Sequence, residues 1–534
     1  MTDSTARWSV LPSLRGLPEE RRGAATAAAV LLALGLALTA VDPDLELPAP
    51  VGAVAAVGTF VLLAAWLWRA RHADLLAPAV FFPIAFLAYY GFGSLPLVSW
   101  GPVPGGMFLL MLLAVASYLT GTALAGATVE YEFLRPRAEA RFIDVRRAVR
   151  LLLAAGTISL VAFVVLFAAT GIPILGAVEF ARLRSAANGY LNTLALTIRA
   201  VIMVVAILLL TVPHVRRDRR ILVLLLALLA AGTASLVMTG NRGHLVLLAL
   251  FGAAAWHYLQ RRLTLRAVTV VVLVGLTIYS LAGYYRAGQC DAEWPARMER
   301  HYGVPAALAP IAPAYLSVRS VPHFLSEIIE EVPERAPHTL GALLVSPVAT
   351  VLPGHQPGIG EFIKEEVLHL EFVGFGVAAG LLAAPYVDFG YIGIVALMLA
   401  TGAGMQLLYR AARTGRREWI SVYTFAAANL VLSLYGSVIN SFSVLWVPAV
   451  AFAILWLAGL PQPLAWRSLV RRPDWRWLVP RRQLAPRLFV GLVVVGYLVL
   501  VSAASLSLTV SVARALNDPG RGFAISAQGG DLGS

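Results

Sequence analysis

Several arginines of this 534-residue chain stand where a positive charge is expensive. Arg182 and Arg184 follow the stretch Thr170-Gly171-Ile172-Pro173-Ile174-Leu175 and Glu179. Arg199 falls six residues after Thr193, inside the apolar run Thr193–Val212. Arg242 belongs to Thr239-Gly240-Asn241-Arg242-Gly243-His244, a turn whose two glycines permit positive φ or close backbone approach. Arg286 ends the apolar run Ala267–Tyr285. A single arginine at the end of an apolar helix can snorkel to an interface. One placed inside the run needs a polar cavity or a partner. Taken together, these guanidinium groups sit at the same ends of different helices and can converge on one anion. Guanidinium binds phosphate oxygens in pairs and does not lose its proton. The set therefore points to a phosphate or diphosphate carried by a lipid.

Chemistry at such a group needs a proton acceptor. The candidates are His244 beside the Arg242 turn, His338, His355 and His369 in a long polar stretch, and Asp388. At most one of them is required, and the residues alone leave the choice open. A loop histidine has a plainer explanation as a solvated or structural residue. Asp388 opens Asp388-Phe389-Gly390-Tyr391-Ile392-Gly393 and suits the N-cap of the helix that follows. The glycine-rich run Pro353–Gly360 lacks the Gly-Lys-Ser/Thr of a phosphate loop and reads as a turn. There is no His-Glu-x-x-His, no Cys/His metal spacing and no Gly-x-Ser-x-Gly, so neither metal nor cofactor is expected. The single cysteine, Cys290, excludes an intramolecular disulfide.

The elements that must position these residues are membrane helices. Mean hydropathy is +0.77, and 59% hydrophobic against 13% charged residues is far from a soluble composition. Runs of about 20 apolar residues predict an all-α polytopic fold with about thirteen spans. Their approximate cores are Gly23–Val41, Pro50–Trp68, Leu75–Phe92, Gly106–Ala127, Leu151–Ala169, Thr193–Val212, Ile221–Leu236 and His244–Leu259. The rest are Ala267–Tyr285, Phe389–Tyr409, Trp419–Tyr435, Phe442–Gly459 and Leu488–Thr509. Every second connection is rich in arginine, as at Arg69–Arg71, Arg135–Arg150, Arg216–Arg220, Arg261–Arg266 and Arg410–Arg417. By the positive-inside rule the amino terminus is cytoplasmic, and the arginines discussed above face the outside. The same rule explains the basic balance without a nucleic-acid partner. Residues 1–22 are polar, without the form of a cleavable signal peptide.

The expected organisation is a cytoplasmic tail 1–22, spans one to nine over 23–285, and an extracytoplasmic loop domain 286–388. Spans ten to twelve follow over 389–459, then a basic cytoplasmic loop 460–487, a thirteenth span 488–509 and an outer tail 510–534. The long loop is acidic, with six Lys/Arg against eleven Asp/Glu from Arg286 through Val387. Within it a helix is predicted to start at Ser320 with Pro322 in its first turn and to stop at Pro333. Val321, Leu325, Ile328 and Val332 fall on one face, which makes it amphipathic. Gly341–Leu352 and Phe372–Pro385 are apolar but too short to span, and read as interfacial or re-entrant.

With these stretches in view, the chain resembles the oligosaccharide repeat-unit polymerases, the Wzy-type O-antigen polymerases. The resemblance rests on Thr170–Leu175 with Arg182 and Asn188-Gly189-Tyr190 beyond it, and on Thr239-Gly240-Asn241-Arg242-Gly243. It rests also on a long external loop that carries Leu352-Pro353-Gly354 and closes on Asp388–Gly393. It covers roughly residues 151–409; the N-terminal spans and the thirteenth carry none of it. The resemblance implies a glycosyltransferase of the cytoplasmic membrane, with its active face extracytoplasmic. Such an enzyme moves a growing glycan from undecaprenyl diphosphate onto a single lipid-linked repeat unit. Arg182, Arg184, Arg199, Arg242 and Arg286 would hold the diphosphate in place of a metal, and a flippase and a chain-length regulator would be partners. Two other classes compete. A polyprenyl-phosphate-sugar glycosyltransferase or an O-antigen-type ligase would draw an acidic base from a first-loop run such as Asp42-Pro43-Asp44-Leu45-Glu46. A lipid-linked oligosaccharide flippase would carry charge across the depth of the bundle.

Overall fold

The computed structural model describes residues 74–95, 106–126, 143–175, 189–290, 293–349, 358–370, 377–378, 380–437 and 441–459. The tails 1–22 and 510–534, the spans expected at 23–41, 50–68 and 488–509, and the basic stretch 460–487 lie outside these residues. The principal helices are α1 (Pro78–Gly93), α2 (Gly106–Leu124), α3 (Val145–Thr170), α4 (Gly189–Leu196), α5 (Ile198–Thr211), α6 (Arg219–Met238) and α7 (Arg242–Leu259). They continue as α8 (Leu265–Cys290), α9 (Ala312–Glu331), α10 (Ala342–Ala349), α11 (Gly380–Ala412), α12 (Arg417–Leu432) and α13 (Ser443–Ala458). Among the described residues five helical stretches are long and apolar enough to cross a bilayer: Val145–Thr170, Tyr190–Thr211, Arg219–Met238, Arg266–Tyr285 and Gly380–Ala412. Among the described residues the fold is all-helical, and the chain is a multi-pass membrane protein.

Two compact units divide the chain. The first takes Met1–Arg137, Ala249–Pro347 and Pro357–Asn440; the second takes Ala138–Leu248, Val348–Gln356 and Ser441–Ser534.

In the second unit, α5 is the central helix. The apolar stretch of Tyr190–Thr211 is 83% buried against protein, whereas that of Arg219–Met238 is 22% buried, so α6 shows most of its surface outward. Helices α3, α4, α6 and α13 pack around α5 or its continuation. Small residues let them approach: a Cβ on Gly232 would sit 2.8 Å from the Ile198 side chain, and one on Gly156 would meet Leu228 at 2.7 Å. Asp144 and Asp218 start α3 and α6 as N-caps, accepting the amides of Arg147 and of Arg220 and Ile221. A break at Thr197 separates α4 from α5, and there the Trp446 indole N–H donates to Thr197 Oγ1 at 3.0 Å.

In the first unit, α2 and α11 run in near backbone contact. A Cβ on Gly121 would lie 2.0 Å from Leu399 O, and one on Gly402 would lie 2.1 Å from Tyr118 O. Only glycine permits that approach. Helix α9 packs on α1 and α8. It differs from the sequence-based expectation at its start. Pro313 occupies the first turn, so the helix begins at Ala312, and Pro322 lies inside it. Pro322 has no N–H for Val318 O, and Gly93 of α1 lies directly against that carbonyl. The helix stops before Val332-Pro333, and Val321, Leu325, Ile328 and Val332 are all buried.

Helix α11 departs further. The expectation was a span from Phe389, capped by Asp388, after a separate short apolar segment ending at Pro385. The helix instead starts at Gly380 and passes through both, with one break at Gly390 (φ 60°, ψ −144°). Glycine alone adopts this conformation without strain. Asp388 therefore lies inside a helix, two residues before a break, and does not cap its own helix.

Candidate active site

The turn around Arg242 folds as its residue types dictate. Helix α6 ends at Thr239, Gly240 takes φ 67°, and Asn241 Oδ1 accepts the Gly243 amide at 2.9 Å. Thr239 Oγ1 closes back on Leu236 O at 2.7 Å. These bonds satisfy groups left open between two helices and set Arg242 and His244 in the first turn of α7. Arg242 is half-buried and His244 is buried.

Arg199, just past the Thr197 break, is buried at 7% exposure. Its Nη2 lies 2.5 Å from His244 Nδ1 and 3.3 Å from Nε2. Its Nε is buried with no hydrogen-bond partner among the described residues. Among the described residues the guanidinium meets an imidazole and no carboxylate. A buried cation held only by a neutral ring is an incomplete electrostatic arrangement, and an anion would complete it. The ring edge that faces the guanidinium must offer a lone pair, so His244 serves Arg199 rather than standing open to abstract a proton.

In the first unit the break in α11 organises a second cluster. Asp388 is fully buried. It accepts the hydroxyl of Thr339 and the amides of Leu343 (3.1 Å) and Leu344 (2.9 Å). Those amides open α10, so Asp388 caps a different helix from the one expected. Thr339 N and Leu340 N bond to Val387 O and Asp388 O at 3.2 Å each. Leu340 and Gly341 both take positive φ to make this clamp, and Gly341 gives room to the Phe389 ring. His338 is half-buried next to it. Its Nδ1 lies 3.1 Å from Val387 O. A carbonyl can only accept, so Nδ1 carries the proton and Nε2 carries the lone pair. The imidazole edge borders the space that a Cβ on Gly390 would enter, with Nε2 3.6 Å from that point. Tyr386, at 6.5 Å from His338, and Tyr391, at 5.4 Å from Tyr386, complete an aromatic wall.

The other expected site residues are less informative. His369 is exposed in a loop with φ 48°, its Nδ1 3.2 Å from Glu365 O. Arg286 lies in the last turns of α8. Arg182, Arg184 and His355 lie outside the described residues. Among the described residues no group of three His, Cys, Asp or Glu side chains is arranged to hold a metal.

Sequence reasoning passed over two arrangements. Asp74, fully buried, accepts His257 Nε2 at 3.0 Å, Tyr258 OH at 2.9 Å and Tyr409 OH at 2.7 Å, and joins the start of α1 to α7 and α11. Tyr423 of α12 donates to Leu76 O beside it. Four donors on one carboxylate, counting the Leu76 amide, describe a structural clasp. On α9, Arg319, His323 and Glu327 stand one turn apart. Arg319 Nη1 donates to Gly93 O at 3.0 Å, and His323 Nε2 meets Glu327 Oε1 at 3.2 Å. Burial and then Arg319 push the His323 imidazole below its ordinary value; burial, Glu330 and Glu331 push the Glu327 carboxyl up. Both shifts oppose a doubly charged pair. The i, i+4 spacing of His323 and Glu327 was available in the sequence.

No curated protein and no solved structure matches the chain. The family model described as "Putative O-antigen polymerase" matches residues 75–445, which take in both clusters and begin one residue after Asp74. The apolar helices, the buried arginine and the glycine-broken helix thus belong to a member of the O-antigen polymerase family.

Proposed function

We infer from this membership that the chain polymerises repeat units in polysaccharide synthesis, with lipid-linked oligosaccharides as substrates. We propose that the chain does this by metal-independent glycosyl transfer on the outer side of the cytoplasmic membrane, with arginines holding the diphosphate of an undecaprenyl-diphosphate-linked glycan. The observation that carries the proposal is Arg199, a guanidinium buried in a membrane helix with only His244 as its partner among the described residues. The acceptor sugar hydroxyl attacks the anomeric carbon of the donor glycan. The bond from that carbon to the diphosphate oxygen breaks, and its electron pair leaves with the diphosphate. Arg199 and Arg242 neutralise the charge that develops there, in a site where a fixed cation is worth far more than in water. Arg182, Arg184 and Arg286 remain proposed members of this group.

His338 takes the acceptor proton. Like His369 its ring is held by a carbonyl through Nδ1, but unlike exposed His369 it is half-buried beside an aromatic wall, with its Nε2 lone pair uncommitted among the described residues. His244 is assigned to positioning Arg199, and Asp388 to clamping α10. A flippase and a chain-length regulator are proposed partners.

The test is genetic. In Arg199→Ala and Arg242→Ala strains, polymer is lost while single repeat units still accumulate outside. Failure of single units to reach the outer face would favour a flippase instead. Full activity of both variants, with loss on substituting Asp42 and Asp44, would favour the polyprenyl-phosphate-sugar glycosyltransferase or ligase.

A further inference from the structure

The arginine-rich ends of α3 and α6 border an open cavity of about 420 Å³ lined by Arg146, Val149, Arg150 and Ile221. It lies within the second unit, at the opposite ends of these helices from the Arg242 turn that follows α6. Arg146 and Arg150 stand one turn apart on α3, both exposed, and neither makes an ion pair or hydrogen bond among the described residues. Asp144 accepts the Arg147 amide, and Asp218 accepts those of Arg220 and Ile221. Among the described residues two guanidiniums thus line the cavity without a carboxylate partner, while Val149 and Ile221 supply an aliphatic wall.

We propose that this cavity binds the phosphodiester headgroup of an anionic phospholipid. Guanidinium groups one helical turn apart suit a phosphate's oxygens. The volume falls in the range of small-molecule sites, about 300–1,000 Å³. The aliphatic half of the lining separates a lipid from a free phosphate, which has no use for Val149 and Ile221. The apolar runs of both helices begin at the next residues, Leu151 and Leu222, so the cavity sits at the depth where headgroups meet acyl chains. The orientation proposed from the loop arginines makes this the cytoplasmic leaflet, but the chemistry of the site does not depend on it.

The experiment uses the full-length protein purified in detergent and supplied with phosphatidylglycerol, or with phosphatidylethanolamine as the zwitterionic control. Native mass spectrometry counts retained lipids, and thermal melting follows the fold. The wild type is expected to retain phosphatidylglycerol and to melt at higher temperature with it. Arg146→Gln/Arg150→Gln is expected to retain one fewer molecule, with binding weaker by about tenfold or more, and to melt like the wild type in phosphatidylethanolamine. Val149→Trp keeps both charges and fills the cavity, and is expected to show the same loss. Retention unchanged in both variants overturns the proposal. An equal loss in Arg261→Gln/Arg262→Gln also overturns it, by showing a general charge effect. So does displacement of the lipid by millimolar inorganic phosphate with the same rise in melting temperature, which would mark a free-phosphate site.

Discussion

Arg199→Lys keeps the charge and loses the planar fork, which makes it the sharper companion to Arg199→Ala. Removing a preorganised group that stabilises developing negative charge costs about 10²–10³ in rate, and that loss is expected for alanine in a polymer-length assay. Lysine is expected to recover part of it, because an ammonium keeps the charge but lacks the planar fork that meets two phosphate oxygens side by side. Full recovery would mean that only charge matters at this position. His338 and Asp388 separate by a different pair of readouts. His338→Gln is expected to lower the rate by about 10²–10⁴ with thermal stability unchanged. Asp388→Asn places an amide where Leu343 and Leu344 donate, and is expected to lower stability by about 1–3 kcal/mol, seen as a lower melting temperature of the purified protein. The reverse pattern would assign the base to Asp388. The sequence named both residues but could not rank them. The contacts that distinguish their surroundings run from Asp388 to Leu343 and Leu344, across more than forty residues of chain.

Helix boundaries were legible where apolar periodicity was uninterrupted, as in α3, α6 and α8. They were misjudged where a proline or glycine is absorbed by a neighbour. Pro322 looked like a first-turn residue because a proline inside a helix costs about 3 kcal/mol; Gly93 against Val318 O shows how that site is accommodated. Asp388 looked like a cap, and is one, for α10 rather than for its own helix. Gly390→Ala tests the break that follows it. Alanine at φ 60°, ψ −144° is expected to cost about 1–3 kcal/mol and to reduce activity through displacement of the Asp388 clamp, with a lower melting temperature as the check. Helix α9 carries the pH dependence. His323 is held below the ordinary imidazole value of about 6.5 by burial and Arg319. The folded protein therefore binds fewer protons there than the unfolded chain, and this contribution to stability falls as pH drops through that value. Glu327, raised by burial and its acidic neighbours, has the opposite sign: it favours the folded state on acidification. Comparing melting temperatures of the wild type and His323→Gln between neutral pH and pH 5 isolates the imidazole; parallel curves would remove it as the cause.

At the scale of the whole molecule, composition was enough to identify a polytopic helical membrane protein, and the alternation of arginine-rich loops gave it an orientation to test. The division into two units was not legible, because each is assembled from segments far apart in the chain. The Asp74 clasp was hidden for the same reason: next to Arg69 and Arg71 it reads as an ordinary loop residue, and its partners His257, Tyr258 and Tyr409 arrive from two distant helices. Such a clasp would fix one end of α11, the helix that carries the break at Gly390, and so links the far end of the bundle to the proposed base. The central claim is that this chain joins lipid-linked repeat units repeatedly, with arginine charge in place of a metal. The direct measurement is the purified protein in liposomes, given one lipid-linked repeat unit with a chelator present, and the products resolved by size. A ladder of successive repeats is expected, lost in Arg199→Ala; a single transfer without a ladder, or a ladder that returns only on adding Mg²⁺ or Mn²⁺, would contradict it.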